Sequence, residues 1–109
     1  MTIEELAAML QKMEIPFAYD HFAEGESPEP PFICYLLPGS DNFAADGMAY
    51  FKISEVRIEL YTDRKDLAVE RKVEDVLDGQ EIFYDKTEVW IQSEKLYEVL
   101  YSFEVPITE

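Results

Sequence analysis

Hydrophobic residues change their spacing within one stretch, Val56 to Leu77. Val56, Ile58 and Leu60 alternate with Arg57, Glu59 and Tyr61, the two-residue repeat of a strand with one covered face. Val69, Val73, Val76 and Leu77 then recur at helical spacing along one stripe. The pattern predicts a strand over Glu55–Tyr61 and a helix over Lys65–Leu77, with Val56, Ile58 and Leu60 buried against Val69, Val73 and Val76. Asp63 is placed to cap the helix, Asp66 suits the positive end of its dipole, and Gly79 suits a left-handed C-cap.

Upstream, Thr2-Ile3-Glu4-Glu5 fits a capping box. Ile3, Leu6, Leu10 and Met13 mark the apolar stripe of a first helix that stops before Pro16. Phe17-Ala18-Tyr19 reads as a short strand. Pro28, Pro30 and Pro31 make the following stretch a loop. Phe32 to Leu37 is apolar throughout, the pattern of a strand covered on both faces. A second loop is expected over Pro38–Gly47, and Met48–Lys52 begins the next strand.

At the C-terminal end, Ile82-Phe83-Tyr84 and Glu88-Val89-Trp90-Ile91 frame a turn or bulge at Asp85-Lys86-Thr87. After the polar Gln92–Lys95, residues Tyr97, Val99, Tyr101, Phe103 and Val105 alternate on one face, so an antiparallel hairpin is expected. The opposite face, Leu96, Glu98, Leu100, Ser102 and Glu104, is mixed enough to meet solvent or a second subunit. The chain therefore reads as one α+β domain over residues 1–109. Its order is α-β-β-β-α-β-β, a mainly antiparallel sheet with two helices on one face.

Composition narrows the function classes. Twenty-four acids against nine bases give a net charge of −15, without any acidic block or tail. Nine acids and one base lie in residues 1–47, fifteen and eight in the remainder. Such a balance opposes direct binding to nucleic acid or an anionic membrane, and suits either plain solubility or a basic partner. No apolar run spans a bilayer, the acidic start is unlike a signal peptide, and the lone Cys34 has no internal disulfide partner, so a reducing cytoplasm is expected.

Catalytic chemistry is hard to assemble from these residues. One histidine, His21 beside Asp20, and one cysteine within an apolar strand make a poor nucleophile pair. Four scattered glycines build no phosphate loop, and zinc lacks ligands. The Asp41–Gly47 run, DNFAADG, misses the calcium-loop spacing. No cofactor, metal or catalytic residue is expected. What remains is surface, in particular the two loops, where Asp41, Asn42, Phe43 and Asp46 are the candidate contact residues and Phe43 serves as an anchor or joins the core.

Several segments in this order carry a family likeness. They are the N-terminal helix leading into Ile15–Tyr19, the Pro30–Tyr35 strand and the acidic Asp41–Asp46 segment. The Val56–Thr62 strand runs into its helix, and Tyr97–Val105 closes the chain. Over residues 3 to 105 the chain resembles the small tail-terminator, or tail-completion, proteins that join head and tail in long-tailed phages and in prophages of Gram-positive bacteria. The resemblance implies an α+β fold and a hexameric ring without catalysis or cofactor. Such a ring caps the head-proximal end of the tail tube, ends tube polymerisation and meets the head connector. Its implied partners are other copies of itself, the major tail-tube protein and a head-connector protein. DNA would pass through without specific binding, and no membrane is involved. The protein would be made in the host cytoplasm and reside in the virion. The competing expectation is another head–tail connector component or an acidic adaptor or inhibitor that binds a basic partner.

Overall fold

A computed structural model describes residues 1–45 and 48–108, with side chains described outside 41–52. The elements run α1 (Ile3–Gln11), β1 (Phe17–Tyr19), β2 (Phe32–Ala45), β3 (Met48–Thr62), α2 (Leu67–Gly79), β4 (Asp85–Ile91) and β5 (Leu96–Pro106). The expected α+β order is present. The strands form one sheet in the order β1-β2-β3-β5-β4, antiparallel except for the parallel β1–β2 pair.

Both helices cover one face of this sheet. Direct pairing lines up Ile33 with Leu60 and Leu60 with Val99, and Tyr35 with Ile58 and Ile58 with Tyr101, while Val56 meets Phe103. These rows meet Leu6, Met9, Leu10 and Met13 near or on α1 and Val73 and Leu77 on α2 in one buried cluster. Val56, Ile58, Leu60 and Val73 are fully buried as the spacing predicts, with Val69 and Val76 packed at the margin. Burying such a side chain is worth about 1.5–3 kcal/mol apiece, so this layer is the main source of stability.

At the start of α1 the capping box is complete: the Glu5 amide donates to the Thr2 hydroxyl at 3.0 Å, and the Thr2 amide donates to Glu5 Oε1 at 3.1 Å. Ile3, expected on the buried stripe, is exposed, and Met9 takes that place. At this end the chain is tied by Thr2, which bridges Thr108, and Met1 packs against the core. The α2 cap is Asp66, whose Oδ1 accepts from the Val69 amide at 3.3 Å, rather than Asp63. Gly79 stays inside the helix, and the left-handed residue beyond it is Glu81, at φ 57°. Residues 82–84 form no strand. Asp85–Thr87 is not a turn but the start of β4, and the reversal into β5 falls at Gln92–Lys95, with Lys95 at φ 54°.

The largest departure concerns the loop expected over Pro38–Gly47. β2 runs on to Ala45, pairing Asp41 with Ile53, Asn42 with Lys52 and Phe43 with Phe51. The ladder shifts register between Leu36 and Gly39, so Pro38 sits in an irregularity, where a residue without an N–H costs no ladder bond. β1 pairs only as far as Tyr35 and β5 only as far as Ile53. Beyond these points, among the described residues, β2 and β3 pair with each other alone, as a two-stranded arm. From Asn42 to Ala45 the arm extends roughly 10 Å at the rise of a strand. It stretches the molecule to 49 × 29 × 23 Å, and the radius of gyration is 15.0 Å. A compact domain of this length would measure about 13 Å.

Candidate interaction surfaces

The helices leave the other sheet face uncovered. Alternation puts Phe32, Cys34 and Leu36 of β2 on that face, and pairing sets them beside Tyr61, Glu59 and Arg57 of β3. These in turn face Glu98, Leu100 and Ser102 of β5, which neighbour Val89, Thr87 and Asp85 of β4. One row further, Glu55 and Glu104 lie directly opposite each other. Like charges in that relation destabilise a strand pair. The mixed Leu96–Glu104 face read from the sequence is part of this surface. The uniformly apolar β2 segment is covered on one face only: Ile33 is fully buried, while Phe32 and Leu36 are partly exposed on the open side.

At the centre of the open face, the Tyr61 hydroxyl lies 3.1 Å from Glu59 Oε1 and 2.9 Å from Glu98 Oε2. Burial, reinforced by the neighbouring Glu98 charge, holds the Glu59 carboxyl above the usual carboxylate range. Burial and the same two acids push the Tyr61 hydroxyl far above its ordinary value, so it stays protonated and serves as a donor. Phe32 stacks on Tyr61 with ring centroids 5.1 Å apart, and Phe22 from the proline-rich loop packs edge-on against Phe32 at 5.5 Å. Cys34 is shaded by larger neighbours. Burial, with the charges of Glu59, Asp20 and Glu98, pushes its thiol up to about 11. A thiol so placed is largely unionised at neutral pH.

A second polar arrangement lies on the helix side, near the β4 edge. Glu70 of α2 is 2% exposed, with Lys65 Nζ and Lys86 Nζ each 2.8 Å from one of its oxygens. Neither oxygen accepts a well-angled hydrogen bond, so the attachment is ionic rather than directional. Lys86 also reaches Glu74 at 2.7 Å, Glu74 accepts from the Tyr101 hydroxyl at 2.7 Å, and Lys65 reaches Glu88 at 2.6 Å. Burial would lower Lys86, but its bonds to Glu70 and Glu74 outweigh that and hold it above the usual lysine value. Burial would raise Glu74, and its bonds from Lys86 and Tyr101 reverse that. The network ties α2 to β4 and β5. Every charge in it already has a counter-charge, which makes it a clamp rather than a reactive centre. The sequence carried a sign of it: residues 70, 73 and 77 share one helical stripe, so an acid sits in line with Val73 and Leu77.

Of the candidate contact residues, Asn42 and Phe43 fall on the arm and Asp41 at its base, where its partner Ile53 still pairs with Pro106. Asp41, Asn42 and Phe43 are strand residues of β2 rather than loop residues, and Asp46 lies outside the described residues. His21 is a surface residue, its Nδ1 2.8 Å from Asp20 Oδ2 with both side chains largely exposed. A cleft of about 650 Å³ lies beside the end of β5 and the start of β4, and Glu55, Glu81, Asp85 and Glu104 are among its lining residues. Among the described residues, no group of three or more His, Cys, Asp or Glu side chains is arranged to hold a metal ion, and no helix is long and apolar enough to cross a membrane. Comparison with protein-family models gives no match, and comparison with curated proteins gives none either.

Proposed function

We propose that this chain is a phage or prophage virion structural protein, a tail terminator. It would form a ring on the head-proximal end of the tail tube, end tube polymerisation and join the tail to the head connector. The observation that carries this reading is the element order α-β-β-β-α-β-β combined with an arm that, among the described residues, pairs with no further strand. A two-stranded hairpin is marginal in water by itself, and its edges offer unpaired backbone groups to neighbours. In a ring, adjacent copies or the tube end would supply them. The carriers of contact would then be the arm residues, among them Asn42 and Phe43, with Asp41 at the base.

Charge sets the condition for assembly. Each copy carries −15, so a ring of six gathers about 90 negative charges, whose repulsion opposes closure. The same charge lets DNA pass a lumen without adhering. Screening at 0.1–0.15 M salt shortens the repulsion to roughly 8–10 Å. Sedimentation velocity across a salt series, with and without tail tubes, tests the reading. A shift toward a closed hexamer with salt or tubes is expected, and electron microscopy should place it at one tube end. A strict monomer in all conditions, with tubes present, refutes it. The acid-rich open sheet face favours a second reading, an acidic adaptor for a basic partner, in which no ring forms and the protein remains active as a monomer.

A further inference from the structure

The open face has an unusual balance of chemistry. Its apolar rows are interrupted by Glu55, Glu59, Glu98, Glu104 and Asp85, against the single guanidinium of Arg57. Arg57 is committed to Glu55, with Nε 3.1 Å from Oε1, and none of the described ion pairs involves Glu59 or Glu98. Those two carboxylates share one tyrosine hydroxyl. A phenol has a single proton to donate, so it serves one of them at a time. The counter-charge that reaches Glu59 is Arg57, itself already paired with Glu55, so this half-buried acid is under-compensated beside a stacked aromatic pair.

We infer that the helix-free sheet face is a docking surface for a basic polypeptide segment that sets an arginine between Glu59 and Glu98. Complementary charge selects this occupant. A second copy laid face to face would oppose acid to acid, and a polyanion would be repelled. Arginine fits better than lysine because its planar fork donates to two carboxylates at once and stacks on the exposed face of an aromatic ring. Apolar residues flanking that arginine would lie on Phe32 and Leu100. The ring reading is not needed for this inference, since the face belongs to a single chain.

The test uses the intact protein and an acetylated, amidated nonapeptide alternating arginine and valine, at 0.15 M salt. Anisotropy of a labelled peptide measures affinity, and amide NMR shifts locate it. Binding is expected to move resonances of outer-face residues on β3 and β5, and a peptide with citrulline in place of arginine should not bind. The E59Q/E98Q variant should bind at least about tenfold more weakly. A control, E4Q/D75N, makes the same change in net charge on the helix layer and should bind within about twofold of the parent. Melting curves of both variants exclude unfolding as the cause. Equal weakening by the control, shifts on the helix layer, equal binding of the citrulline peptide, or no binding at all would overturn the inference. Movement of the same outer-face resonances on raising protein concentration alone would assign the face to a second copy and overturn it as well.

Discussion

Removing both lysines from the Glu70 clamp should be worse than removing all three charges. At 2.8 Å and an effective dielectric of about 20, each Lys–Glu70 attraction is roughly 6 kcal/mol before desolvation. Desolvation takes back several kcal/mol for each ion, and the Lys65 pair is discounted further because that side chain is 44% exposed. The net value of the clamp is therefore small, but an unpaired Glu70, 2% exposed, is not tolerated. K65M/K86M should lose about 3–5 kcal/mol at neutral pH, a large share of a typical 5–15 kcal/mol stability. E70L/K65M/K86M, which removes the buried carboxylate with both lysines and leaves only the more exposed Glu74 and Glu88, should lie within about 1.5 kcal/mol of the parent. Urea unfolding at pH 7.5 reads all three proteins. Equal instability of the double and triple variants would refute the reasoning.

Ile58 is fully buried at the centre of the inner face, so I58A should cost about 2–5 kcal/mol in urea unfolding, and a loss below about 0.5 kcal/mol would contradict its placement. With its thiol pushed up to about 11, Cys34 should react with iodoacetamide at pH 8 on the order of a hundredfold more slowly than a free thiol, and C34S should leave assembly unchanged. Glu59 is held above the usual carboxylate range by burial and by Glu98, so its ionised form costs the folded state stability at neutral pH. E59Q should accordingly raise Tm at pH 7, an advantage that fades as pH falls and is gone below roughly pH 4, where folded and unfolded carboxyls are both protonated. An E59Q variant that melts lower than the parent at pH 7 would reverse that account.

Local spacing carried much of the architecture. The switch from alternation to helical spacing after Leu60 located β3 and α2, and the alternation from Tyr97 to Val105 located β5. Departures arose where pairing partners decide. Pro38-Gly39 looks like a strand end until the register shift beside it is known. Phe32 and Ile33 are both apolar, and only their partners, Tyr61 and Leu60, reveal that one faces helices and the other does not. Asp63 and Asp66 are equally good caps in isolation; the fold starts α2 at the later one. The union of Glu59 with Glu98 spans 39 residues of sequence and needs β3 and β5 side by side, so neither residue could signal the other.

The arm gives the molecule two unequal kinds of sequence freedom. Substitutions in the sheet beneath the helices meet a packed interior and are filtered by folding itself. From Asn42 outward, the ladder between β2 and β3 includes no other strand among the described residues. Under the proposed reading, in which neighbouring copies or the tube end supply its contacts, amino-acid changes there would track changes in that neighbour while the body folds as before. Exchange of arms between related chains would then be a route by which specificity moves from one lineage to another on an unchanged body.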